Sequence, residues 1–185
     1  MPKPSNSWIH TYTGKHFDPL NPDADLIDIR DIAHALSNQC RFVGHVKDFY
    51  SVAEHSVRVS RACADRDALA GLLHDAPEAY LHDLASPIKH ADGMERYREA
   101  EALLEAMIYS KWGLAPTMPA SVRKADKTLL MTEARDLFNG AHVGWADPTN
   151  VLTQKIRPLQ TPRAAEEWFL QRYRALTTNL VMASR

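Results

Sequence analysis

Hydrophobic positions recur at three- and four-residue intervals along most of this chain, which is the periodicity of helices that bury one face. DIRDIAHALS (28–37) predicts a short helix, and SVAEHSVRVSRACA (51–64) predicts a second. The second opens with a capping box, in which Ser51 and Glu54 are expected to satisfy each other's free amides. A third helix starts in DALAGLLHDA (67–76). Pro77 lacks an amide hydrogen, so the chain should kink or restart there. EAYLHDL then continues briefly and ASPIKH is expected to end it. Residues 93–113 predict a long amphipathic helix with Tyr97, Ala100, Leu104 and Met107 as its inner stripe and Gly113 at its C-terminal cap. Residues 118–138 predict another, with Pro119 near its first turn. Residues 161–181 predict a last one, with Phe169, Tyr173, Leu176 and Leu180 on one face.

Convincing strand alternation is missing, apart from a possible small hairpin in an N-terminal arm (1–27) rich in turn formers. Trp8, Ile9, Tyr12, Phe17 and Leu20 are the residues expected to pack that arm down. Residues 38–50 read as a loop carrying Arg41 and His45. Residues 139–160 read as irregular, with Gly140, Gly144 and Pro148. The expected fold class is all-α, a compact helical bundle with an irregular N-terminal arm. A length of 185 residues suits one domain, with a motif-bearing core at 28–138 and a loop and C-terminal helix at 139–185.

Composition narrows this little further. A content of 45% hydrophobic and 24% charged residues is ordinary for a globular protein, and a net charge of −1 offers no electrostatic case for duplex nucleic acid or a membrane surface. The two cysteines, Cys40 and Cys63, form no CxxC pair and read as reduced thiols. The N-terminus has no apolar signal core and no run is long enough to span a bilayer, so a cytoplasmic protein is expected.

The informative stretch is GLLHDAPEAYLHD (71–83), with His74-Asp75 and His82-Asp83 in one short segment. Adjacent helical residues point about 100° apart, so they share a ligand only if it sits in the crevice between them. Gly71 is expected to clear room on that flank. A metal ion suits such a crevice, with further ligands drawn from neighbouring helices. His55, between Val52 and Val59 on its helix, and Asp126, between Val122 and Leu129/Leu130, look inward from two other helices. Taken singly, His55 reads as a hydrogen-bonded core histidine and Asp126 as half of a surface ion pair. Together with His74 and Asp75 they offer two nitrogens and two carboxylates. His82-Asp83 lies past Pro77 at a helix end, where capping or substrate contact is the more natural role.

Three strings carry a resemblance: CRF followed by YSVAEHS, then LLHDAPEAYLHDLASPIKH, then ADKTLLMTEARDL. They resemble the HD-domain metal-dependent phosphohydrolases, whose H…HD…D pattern here is His55, His74-Asp75 and Asp126. The similarity extends to bacterial 5'-deoxynucleotidases and related phage deoxynucleoside triphosphate hydrolases. It implies one divalent ion (Mn²⁺, Co²⁺, Zn²⁺ or Fe²⁺) held by those four residues. It implies that Glu78 holds or deprotonates the attacking water, with Asp75 also in the catalytic group. It implies that Arg41 grips the substrate phosphate, that Asp83 faces the sugar, and that Lys89 is a second candidate for phosphate contact; Phe42 is expected to bind substrate by shaping the pocket. The expected substrate is a small nucleotide, a deoxynucleoside 5'-phosphate foremost and a deoxynucleoside triphosphate as the alternative, and the expected assembly is a homo-oligomer. The short gap between His55 and His74 departs from the family and implies a trimmed helix pair. Two other readings remain open. One is a di-iron oxygenase, for which His82 and His90 are available. The other is a non-catalytic nucleotide sensor, marked by a lost ligand or a lost Glu; both are present here.

Overall fold

The computed structural model describes residues 7–139, 144 and 147–183, with backbone only for 179–183. Residues 1–6 of the arm, Gly140 and the Leu180 side chain lie outside the described residues. The protein is all-α apart from a hairpin of β1 (Ile9–His10) and β2 (His16–Phe17), in antiparallel register. The hairpin is docked chiefly by polar contacts. The buried Asp31 carboxylate accepts the amide of Thr13 at 2.6 Å and its hydroxyl at 2.9 Å. Phe17 is fully buried and stacks on Tyr80 at 4.2 Å. Trp8, Ile9, Tyr12 and Leu20 remain exposed, although Tyr12 still stacks on His34 at 3.8 Å, so Phe17 and Tyr12 are the two of the five expected residues that pin the arm.

The helices are α1 (Ile29–Asn38), α2 (Val52–Ala62), α3 (Ala68–Leu73), α4 (Glu78–Leu81), α5 (Ser86–Lys89), α6 (Glu95–Lys111), α7 (Ala120–Leu137) and α8 (Pro162–Ala183). Among the described residues, no helix is long and apolar enough to cross a membrane. The chain does restart at Pro77, between α3 and α4, as its missing amide dictates. Residues 85–90 do not simply end that segment, because Ser86–Lys89 forms the single turn α5 with Pro87 in its first turn. Helix α6 ends in a Schellman motif: Gly113 takes φ +69° and the Leu114 amide returns to the Tyr109 carbonyl at 2.9 Å. Its buried residues are Leu104, Ile108 and Tyr109; Tyr97, Ala100 and Met107 are only half-buried, so the inner stripe is rotated from the expected one.

Helix α2 is the hub, packed against α1, α3, α7 and α8, and most of its 11 residues are buried. Ser51 caps it by accepting the Glu54 amide at 3.1 Å. The reciprocal half of the capping box is not made among the described residues: the Glu54 carboxylate instead holds Arg58 at 2.6 Å and accepts the Leu159 amide at 2.9 Å. Long-range partners for a buried carboxylate outweigh one local cap. Helix α3 crosses α2 at Gly71, where an added Cβ would lie 2.9 Å from Cys63 Sγ and 3.1 Å from Ser60 Cα. Gly71 therefore permits close helix packing; it does not clear a crevice for a ligand.

Candidate metal centre

Three elements converge at one end of the bundle: the middle of α2, the turn between α3 and α4, and the middle of α7. His55 comes from α2, where Val52 and Val59 bury its flank. His74 and Asp75 lie just past the last residue of α3, in the turn that Pro77 enforces, and not within a helix as expected. Asp126 comes from α7 and is half-exposed, so it looks into a cleft and not into the core.

His55, His74 and Asp75 form a group whose ligand atoms lie within 4.8 Å of one another, and which could hold a metal ion. His55 Nε2 is 3.3 Å from His74 Nε2, 3.6 Å from Asp75 Oδ2 and 3.2 Å from Asp126 Oδ1. His74 Nε2 is 3.2 Å from Asp75 Oδ1 and 4.0 Å from Asp126 Oδ1. The opposite ring nitrogens are already committed. His74 Nδ1 is 2.9 Å from the Gly71 carbonyl, which only accepts, so that nitrogen carries the hydrogen and Nε2 presents a lone pair. His55 Nδ1 donates to Glu133 Oε1 at 2.6 Å. Anchoring the far nitrogen to a carbonyl or a carboxylate is how proteins orient metal-binding imidazoles.

The acceptors around His55 Nε2 define the fit. A single proton on that nitrogen serves one of His74, Asp75 and Asp126 at a time, whereas a divalent cation serves all of them. Burial and the Arg41 guanidinium push the His55 imidazole down, yet Glu133 and Asp126 outweigh them and raise it to about 9. Burial pushes Asp126 up, but the hydrogen bond from His55 and the charges of His55, His74 and Arg41 hold it well below the usual carboxylate range. His55 and Asp126 thus favour each other's charged forms.

Glu133 was not among the residues expected here. It is fully buried and gathers His55 Nδ1, the Tyr50 hydroxyl at 2.9 Å and Arg41 at 3.1 Å. Burial raises its carboxyl, but Arg41 and His55 bring it below its ordinary value. A signal existed in the sequence: Glu133 stands seven positions after Asp126 on α7, two turns along the same face. Its neighbours Thr132 and Ala134 are not strongly apolar, which disguised it as a solvated helix charge.

Arg41 sits behind the centre, 3.6 Å from Asp75 Oδ2, with its buried Nε lacking a hydrogen-bond partner among the described residues. Burial disfavours its charge, but Glu133 and Asp75 keep it charged. It reaches this place from a left-handed turn, in which Phe42 has φ 56° and Val43 has φ 55°. Positive φ at a β-branched residue is strained, on the order of 1–3 kcal/mol. Phe42 packs edge-on against Phe138 at 5.0 Å and does not line the cleft.

The cleft beside the centre has a volume of about 280 Å³. His74, Asp75, Asp126, Glu78 and Lys89 line it, together with α6 residues and the apolar Pro77, Ala102 and Met118. Glu78 opens α4, is buried, and its Oε2 has no hydrogen-bond partner among the described residues. Burial, then the charges of Asp75 and Asp83, raise its carboxyl well above the ordinary range. Lys89 Nζ is held by Glu101. Asp83 is half-buried outside the cleft lining, with its amide donating to Gln39 Oε1 at 3.0 Å. His82 and His90 are both exposed and bonded to nearby atoms, His82 to the Asp83 carbonyl and His90 to Ser86; neither joins the metal-ligand group.

No family model matches the chain. Over 133 residues, 71% of this chain and 72% of the relative, it is 45% identical to the uncharacterized protein YfdR of Escherichia coli K12. It is 35% identical to the uncharacterized protein RCAP_rcc00048 of Rhodobacter capsulatus, across 94% of this chain and 97% of that protein. Such identity over most of both partners is shared ancestry and a shared fold: the chain belongs to the protein family of YfdR and RCAP_rcc00048.

Proposed function

We propose that this chain is an HD-domain-like, metal-dependent phosphohydrolase of small nucleotides, with deoxynucleoside 5'-phosphates as the first substrate class. The observation that carries the reading is the convergence of His74 Nε2, Asp75 and Asp126 on His55 Nε2, with both Nδ1 atoms committed elsewhere. The motif resemblance in the sequence supports it independently.

His55, His74 and Asp75 would hold the ion, with Asp126 as the fourth ligand. A divalent ion supplies positive charge that neutralises phosphoryl oxygens and favours ionisation of water. The chain's own residues do the rest. Glu78 has a buried, unpartnered oxygen on the same cleft, suited to holding the attacking water and taking its proton as the phosphorus–oxygen bond to the leaving group breaks. Glu133 fixes the tautomer and orientation of His55. Arg41 is bonded to Asp75 and Glu133, so it meets a substrate phosphate only by exchanging one of those contacts. The roles expected of Asp83, Phe42 and Lys89, and the homo-oligomeric assembly, belong to the same reading.

The test is phosphate release from deoxy- and ribonucleoside mono-, di- and triphosphates, with Mn²⁺, Co²⁺, Zn²⁺ or Fe²⁺ added and an EDTA control. Metal-dependent release of orthophosphate is expected; tripolyphosphate release would name the triphosphate alternative. Silence across the panel with metal bound overturns the reading in favour of a sensor or an oxygenase.

A further inference from the structure

Helix α6 carries a row of polar side chains one turn apart: Tyr97, Glu101, Glu105 and Tyr109. Three of the four are satisfied. The Tyr97 hydroxyl donates to the His82 carbonyl at 2.7 Å, Glu101 holds Lys89, and the Tyr109 hydroxyl donates to the Ala70 carbonyl at 3.0 Å. Glu105 is the exception. Its Oε1 is buried and has no hydrogen-bond partner among the described residues, although the side chain lines the same cleft as His74, Asp75 and Glu78. Leaving a buried acceptor unsatisfied costs roughly 1–3 kcal/mol, so folding alone does not account for it.

The cleft itself indicates what Glu105 awaits. Its metal-ligating end takes phosphate under the reading proposed above, on which this inference rests. Besides those groups and Glu105, the cleft is lined by the apolar Pro77, Ala102 and Met118 and by the cations Lys89 and Arg98. A carboxylate only accepts, so its complement is an N–H or O–H donor carried on a flat or apolar body. We infer that Glu105 is a specificity-determining residue that accepts a hydrogen bond from the non-phosphate half of the ligand, from a sugar hydroxyl or a base N–H. A site built around such an acceptor discriminates strongly against a ligand lacking the donor, because rejection leaves the acceptor unpaired again.

The experiment uses the full metal-loaded chain and the variants Glu105→Ala and Glu105→Gln, the second conserving size and shape. KM and kcat are measured for a deoxynucleoside 5'-monophosphate, its ribose counterpart, a base analogue without the exocyclic amine, 2-deoxyribose 5-phosphate, and phenyl phosphate. The expected result for Glu105→Ala is a rise in KM for the nucleotide about 10- to 100-fold greater than for phenyl phosphate. Persistence of that excess with deoxyribose phosphate assigns the donor to the sugar; its disappearance with the amine-free analogue assigns it to the base. Thermal unfolding of Glu105→Ala is expected to match or exceed that of the parent, since an orphaned acceptor is removed. An equal KM change on all ligands, or a loss of stability without discrimination, overturns the inference. If the parent releases no phosphate from any compound, the hydrolase reading has failed. Equilibrium dialysis of the matching nucleosides against metal-loaded protein then still decides the role of Glu105. Weaker nucleoside binding by Glu105→Ala supports it, and equal or undetectable binding in parent and variant overturns it.

Discussion

The same dipeptide, His-Asp, occurs at 74–75 and at 82–83, and the fold treats the two oppositely. His74 follows a fully buried α3, its ring is almost wholly enclosed, and the Gly71 carbonyl three residues back fixes its orientation. His82 follows a single-turn helix, takes φ 72°, stands exposed, and its ring bonds the carbonyl of its own neighbour. Chemistry needs a side chain whose position is decided before the ligand arrives. Burial and an anchored far nitrogen provide that at His74 and at no point around His82. Asp75 likewise meets His55, His74 and Arg41 within 3.6 Å, whereas Asp83 offers its backbone amide to Gln39.

Asp75→Ala should have the largest effect, removing metal from the purified protein and abolishing turnover; elemental analysis checks the first and phosphate release the second. Full metal content in that variant would break the contrast between the two dipeptides. Glu78→Ala should retain metal while slowing turnover about 10²–10⁴-fold, measured as kcat at saturating substrate. Glu133→Ala strips the anchors from His55 and Arg41 and leaves both buried. It should cost about 3–5 kcal/mol in denaturant unfolding and about 10–100-fold in metal affinity. Gly71→Ala places a methyl group against Ser60 backbone and Cys63, and should destabilise by about 1–3 kcal/mol without touching a ligand atom. His82→Ala is the smallest, with unfolding free energy within about 0.5 kcal/mol of the parent and metal content unchanged. Loss of metal there would sharpen the question toward a larger centre.

Most of the helices were legible because their signals are local. The period of α1, α2, α6, α7 and α8, the Ser51 cap, the Gly113 terminator and the break at Pro77 each depend on a few neighbouring residues. His55 was legible too, because a polar side chain on an apolar helix face requires a partner, whereas His74, Asp75 and Asp126 stood out only as members of the four-residue pattern. The partners were less so. Glu133 and Glu105 are both ordinary helix glutamates in sequence, and one is buried among three donors while the other has an oxygen buried with none among the described residues.

The sequence by itself determined where most of this chain turns helical, and which few residues could ligate a metal. The tertiary structure alone decided that Gly71 faces α2, that Glu54 holds Arg58 and Leu159, and that His55 of α2 and His74-Asp75 of the turn after α3 meet at one point, with Asp126 of α7 beside them. The reason is physical. Hydrophobic periodicity specifies that a face is buried, but the identity of what covers it is set by packing between segments remote in sequence, and hydrogen-bond partners follow from that packing.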